Sequence, residues 1–123
     1  MMRTQVGIVG AGPAGPLLAH LLHLRGIDSV VLERQSRAHI EARIRAGVLE
    51  HGTVERLAEV GLADRLLRER MVHRGLELLF DRVGHRIPLA ELTGRELTIY
   101  GQHELVKDLV AARLATGRPL LFE

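Results

Sequence analysis

The spacing of apolar positions changes several times along the chain, and each change marks an element. Residues 4–9 run Thr-Gln-Val-Gly-Ile-Val, a short apolar stretch of the kind a parallel sheet buries. Over residues 13–25 the period turns helical. Leu17, Leu18, Leu21, Leu22 and Leu24 recur along it, and Gly26 ends the run. Residues 29–32 are apolar again and read as a second strand. Strand, helix and strand within about 30 residues make a β-α-β unit, whose crossover is expected to be right-handed.

Further along, the pattern is weaker. Residues 35–41 are polar and read as a loop. Residues 44–60 carry a helical pattern with Val48, Leu49, Val54 and Leu57 on one face, although Gly52 interrupts it. Residues 63–70 make another short helix. Residues 76–80 and 86–89 are spaced to pair as a hairpin about a turn at 81–84. A strand over 97–100 and an amphipathic helix over 103–115 follow, with Leu105, Leu109, Val110 and Leu114 inward, and 119–122 open one more strand. The fold class expected is α/β, a partial Rossmann-like domain with a β-α-β start and a small β excursion. The last strand has no element after it, so the layout reads as the first part of a larger α/β protein.

Composition narrows the chemistry. Hydrophobic residues make up 46% of the 123, enough for one modest core. Aromatics are 2%, so a flat ligand must be gripped by backbone and aliphatic groups. There is no cysteine, which excludes disulfides, thiol catalysis and cysteine-ligated metal. The net charge is +2, but the arginines are scattered among carboxylates, so no nucleic-acid partner is expected. No apolar run reaches about 18 residues and no signal-peptide pattern stands at the start, so no membrane contact is expected and the location reads as cytoplasmic. His20 and His23 lie one helical turn apart with no third ligand in view, so no metal site is expected. His73 reads as a loop or strand-entry residue rather than a base.

The strongest chemical pattern is Gly10-Ala11-Gly12-Pro13-Ala14-Gly15, between the first strand and the helix, with Glu33 eighteen residues after Gly15. Gly10 suits a tight turn, Gly12 lets a pyrophosphate approach the backbone, and Gly15 lets helix and strand pack closely. Free amides at the helix start would face the phosphates. Glu33 would accept hydrogen bonds from an adenosine ribose. The residues thus predict a dinucleotide site. An NAD(P)-binding dehydrogenase domain and a non-catalytic remnant or interaction module stand as alternatives. If Gly12 caps the helix, Pro16 is the first residue whose N–H should return to a helix carbonyl, so strain is expected there.

Arg34 and Gln35 follow Glu33; then come Arg43-Ile44-Arg45-Ala46-Gly47-Val48-Leu49-Glu50 and, later, Tyr100-Gly101-Gln102. With the glycine motif, these strings closely resemble the 4-hydroxybenzoate 3-monooxygenase family of class A flavoprotein aromatic hydroxylases, over essentially the whole chain. The resemblance implies that residues 1–123 are the N-terminal part of an FAD-binding domain, with the substrate half absent. It implies FAD as cofactor, NAD(P)H as co-substrate, a small aromatic substrate, and a homodimer for a full-length member.

By the same resemblance Gly10, Gly12 and Gly15 hold the FAD pyrophosphate and Glu33 the adenosine ribose. Arg45 lies beside the phosphates, where a guanidinium can fork onto oxygen pairs. Ala46, Gly47 and Val48 run along the flavin, and Gln102 bonds its polar chain. Arg34, Gln35 and Arg43 receive the reduced nicotinamide, and Ile44 belongs to the same string. Ala14 stands in the cofactor turn where some members have serine, so one side-chain bond is missing. Pro16 replaces an aliphatic residue. No catalytic acid or base falls within these residues, and the chain alone is not expected to hydroxylate a phenol.

Overall fold

In chain order the elements are β1 (Val6–Val9), α1 (Ala14–Leu24), β2 (Ser29–Glu33), α2 (Arg37–Ala42), β3 (Val48–Leu49), α3 (His51–Glu59), α4 (Asp64–Glu69), β4 (Met71–His73), β5 (Leu76–Phe80), β6 (Val83–Ile87), α5 (Leu89–Thr93), β7 (Leu97–Ile99), α6 (Gln102–Ala115) and β8 (Leu120–Phe122). They come from a computed structural model that describes residues 1–123. The elements gather into two compact units, Met1–Ala46 with Gly101–Glu123, and Gly47–Tyr100.

The first unit is a parallel sheet in the order β1-β2-β8, so the expected β-α-β start is present. Ile8 pairs with Val31, and Val31 with Leu120. These three join Ala11, Ala19, Val106 and Val110 in one core. On α1 the buried residues are Pro16 and Ala19, whereas Leu18 and Leu24 are exposed. On α6 the inward stripe is Leu105, Val106, Leu109, Val110 and Arg113. Leu114, expected inward, is exposed, because the stripe set by the four residues before it continues through position 113. The Arg113 guanidinium donates to the carbonyls of Ser29 and Pro119, at the entries of β2 and β8.

Residues 35–41 do not form the expected loop. Ser36 caps α2, its Oγ accepting from the His39 amide at 3.2 Å, and Arg37 pairs with Glu41 at 2.7 Å along the helix.

In the second unit the helix expected over 44–60 is cut short. Val48 and Leu49 pair antiparallel with Ile99 and Thr98, and α3 starts only at His51, after Glu50 in extended backbone. Tertiary pairing overrides a helical spacing that four apolar residues had suggested. β4 adds a third strand through Met71↔Ile99 and Val72↔Thr98, giving a sheet in the order β3-β7-β4. Val54, Leu57, Ala63, Leu66, Thr98 and Tyr100 are buried in this unit.

The hairpin is tighter than expected. Phe80 pairs with Val83, so Asp81 and Arg82 alone make the turn, at φ 50° and 62°. Two successive positive φ values give the turn whose twist matches the flanking strands. The second strand therefore begins at Val83 rather than 86. It stops at Ile87 because Pro88 precedes α5, which Gly94 closes in left-handed backbone.

Candidate functional site

A cavity of about 780 Å³ opens in the first unit. Its walls come from the β1–α1 turn (Ala11, Gly12, Pro13), the end of β2 (Glu33, Arg34, Gln35), α2 with the residues after it (His39, Ile40, Ala42, Arg43, Arg45), and the start of α6 (Gln102, His103, Val106). Six residues proposed from sequence therefore meet here beside Gly12: Glu33, Arg34, Gln35, Arg43, Arg45 and Gln102.

The turn is built by contact between two glycines. Gly10 stands at φ +107°, which disfavours any side chain, and its amide donates to Leu32 O at 2.7 Å. A Cβ on Gly15 would overlap the Gly10 carbonyl oxygen and lie 3.3 Å from Ile8 Cγ2. Gly15 therefore sets the helix against β1 and faces the strand. Gly12 differs: nothing lies within 4 Å of where its Cβ would be, and the open space belongs to the cavity.

No side chain caps α1. Pro13 and Pro16 carry no N–H, so the amides of this first turn belong to Ala14 and Gly15. Ala14 thus keeps a donor in its backbone although it has no hydroxyl.

Glu33 is half-buried at the cavity edge. Its Oε2 accepts from the Ala11 amide at 2.8 Å and its Oε1 from the Gln35 amide at 2.8 Å. The Ala11 hydrogen bond, seconded by amides of Gln35 and Arg34 and by the Arg34 charge, holds the carboxyl below the usual carboxylate range, against a smaller push upward from burial. An ionised carboxylate has about four acceptor sites, so these amides leave it with capacity to accept from a ligand. Donors share the lining with this acceptor: Arg34, Arg43, Arg45 and Gln102.

Besides Gly10, Ala14 and Gly15 of the turn and helix start, four sequence candidates are not among the lining residues. Ile44 is 81% exposed, and neither it nor Ala46 lines the cavity. Gly47 and Val48 belong to the second unit, where Gly47 O accepts from the Tyr100 amide at 2.8 Å and Val48 is exposed on β3. Sequence reasoning missed His39, Ile40 and Ala42 because it read α2 as a loop; the Ser36 cap and the Arg37–Glu41 spacing were the available signals. It also missed His103, which stands one residue after Gln102. No group of three or more His, Asp or Glu side chains gathers to hold a metal, and no helix is long and apolar enough to cross a membrane.

The family profile described as FAD binding domain matches residues 3–123. The chain belongs to the FAD binding domain family. Within it, the chain is 41% identical over 123 residues to p-hydroxybenzoate hydroxylase of Acinetobacter baylyi, covering 99% of this chain and 30% of that protein. It is 42% identical over 67 residues to a 3-(3-hydroxy-phenyl)propionate/3-hydroxycinnamic acid hydroxylase of Burkholderia cenocepacia, covering 54% of this chain and 12% of that one. Among solved structures, PqsL of Pseudomonas aeruginosa superposes with a TM-score of 0.86 at 22% identity, over 97% of this chain and 33% of that one, a likeness of fold. This FAD binding domain chain therefore spans about a third or less of the length of the relatives it matches.

Proposed function

We propose that the cavity holds the ADP half of FAD, in a flavoprotein that hydroxylates a phenolic acid of the p-hydroxybenzoate type with NAD(P)H and O₂. The observation that carries the reading is the Glu33 carboxylate, locked by the Ala11 and Gln35 amides beside the open backbone of Gly12. ADP carries vicinal hydroxyls at one end and two phosphates at the other. The cavity offers an acceptor with spare lone pairs, a turn residue without a side chain at Gly12, and three arginines. Donor and acceptor chemistry therefore fit the group.

In this reading Glu33 accepts from ribose hydroxyls, while Gly12 and the amides of Ala14 and Gly15 take the pyrophosphate. Gly10 holds the turn. Arg45 forks onto a phosphate, and Gln102 bonds the polar chain beyond it. Ala46, Gly47 and Val48 run along the flavin ring. Arg34, Gln35 and Arg43 form the surface that receives reduced nicotinamide, and Ile44 belongs to the cofactor-binding string between Arg43 and Arg45. Bound FAD supplies the redox chemistry; the protein binds and orients it. The similarity to p-hydroxybenzoate hydroxylase supports the choice of a small aromatic acid, and the need for reduced nicotinamide suits the cytoplasm.

Gly12→Val tests the reading. Its side chain would fill the space through which the pyrophosphate approaches, so calorimetry should show ADP and FAD binding largely lost while circular dichroism stays native. Equal affinity in wild type and variant would sink the assignment.

A further inference from the structure

Gly101 precedes α6 and stands at φ −51° and ψ 131°, a conformation open to any residue. Its backbone therefore does not require glycine, and the nearest obstacle to a side chain there is the His103 ring. A Cβ at this position would lie 2.6 Å from His103 Cε1 and 3.0 Å from His103 Nδ1. The imidazole is thus folded back over the residue before the helix, and it forms one end of the cavity wall.

The ring is held there. Its Nε2 lies 3.2 Å from Glu104 Oε1, and that same oxygen accepts from Lys107 Nζ at 2.8 Å. Its Nδ1 is buried without a hydrogen-bond partner. A buried nitrogen left unpaired is unfavourable, and swinging the ring into the cavity would expose it to water. The ring's resting place is therefore a balance between the Glu104 tether and that penalty. A methyl group at 101 tips the balance, because the space it needs is the space the ring occupies.

We propose that Gly101 and His103 together set the width of the cavity beside Gln102. The absent side chain at 101 lets the imidazole lie against the helix start instead of in the volume where the nucleotide binds. Gly101 is then a positioning residue that acts through His103. The proposal rests on the ADP reading above and adds a determinant at the α6 end of the site.

A double-mutant cycle tests it, with ADP binding followed by calorimetry on the intact chain. Gly101→Ala should weaken ADP about tenfold when His103 is present, and by less than about threefold in a His103→Ala background, a coupling in the range measured for residues in contact. Where Gly101→Ala impairs folding, His103→Trp enlarges the same wall without touching position 101 and should also weaken ADP. An equal Gly101→Ala loss in both backgrounds, no loss in either, or a His103→Trp variant with wild-type affinity would overturn the proposal. A wild-type chain that binds no ADP would instead overturn the reading on which it rests.

Discussion

Glu33 serves two ends at once. Its carboxylate ties the glycine turn to the end of β2 through the Ala11 amide, and it presents its spare lone pairs to the cavity. Its lowered pKa makes this a pH-dependent contribution to folding. The unfolded chain takes up the proton near the ordinary glutamate value of about 4.3, whereas the folded chain does so only at lower pH. The stabilisation is therefore fully present above the ordinary value and is lost as pH falls through the folded one. Glu33→Gln should lower the thermal midpoint at pH 7, and the gap to wild type should narrow as pH falls below the ordinary glutamate value toward the lower folded one. A gap that stays constant with pH would show that the charge plays no part. Arg45 is simpler, being exposed at the cavity edge. Arg45→Ala should weaken FAD binding by about 1.5–3 kcal/mol, the range for hydrogen bonds to charged groups. Arg45→Lys should recover part of that, since an ammonium offers charge without the fork. Full affinity in Arg45→Ala, measured by calorimetry, would remove the residue from the site.

Among the elements, α1 and α2 carry the site, and each yields a prediction. Pro16 has no N–H to return to the Gly12 carbonyl, so replacing it should restore a bond worth about 0.5–1.5 kcal/mol. Its ring, however, is fully buried on the inner face of α1. A larger leucine there must displace packed neighbours, which costs about 1–3 kcal/mol. Burial thus reverses the sign that sequence alone suggests, and Pro16→Leu should lower the melting temperature. A higher one would show the proline to be strained. Ser36→Ala should remove the cap of α2 at a cost of about 0.5–2 kcal/mol and weaken ADP binding as well, because His39, Ile40 and Ala42 line the cavity. Unchanged calorimetric affinity would mean that α2 holds its place without the cap. The β1–α1–β2 start was legible in the sequence because its signals are local: an apolar strand, ordered glycines and an acid at the strand end. α2 was not, because six residues with one large apolar side chain, Ile40, show no hydrophobic period, and only a capping serine and the Arg37–Glu41 spacing mark them. Val48 and Leu49 were misread because their partners, Ile99 and Thr98, lie far along the chain and are invisible to any local window.

At the scale of the whole molecule, the parallel sheet depends on a buried charge. β8 lies beside β2, and its Phe122 pairs with Glu33 itself, so the position of the candidate ribose acceptor depends on how well β8 is held. Arg113 does much of the holding. It is 2% exposed, its Nη2 donates to Ser29 O and to Pro119 O, the latter at 3.1 Å, and its Nε reaches Pro119 O at 3.3 Å. Burial works against its charge and pulls its pKa down. Two effects therefore oppose each other when the guanidinium is replaced by an apolar group of similar length. Relief from burying a charge favours the variant. The Ser29 carbonyl left without this donor disfavours it, at about 1–3 kcal/mol where water cannot reach it, whereas Pro119 O keeps the Val31 amide at 3.2 Å. Because the Ser29 carbonyl is a backbone group fixed at the entry of β2, it cannot turn away to find a new partner. Arg113→Met is expected to destabilise the fold by about 1–3 kcal/mol on this ground. Arg113→Lys should fall between the two, since one ammonium can serve one strand entry well but not bridge both. Denaturant midpoints give the order, and ADP affinity measured well below the midpoint shows whether loosening β8 reaches Glu33. A methionine variant as stable as the wild type would mean that the desolvation of the cation outweighs its hydrogen bonds, and that the sheet is held by its apolar core alone.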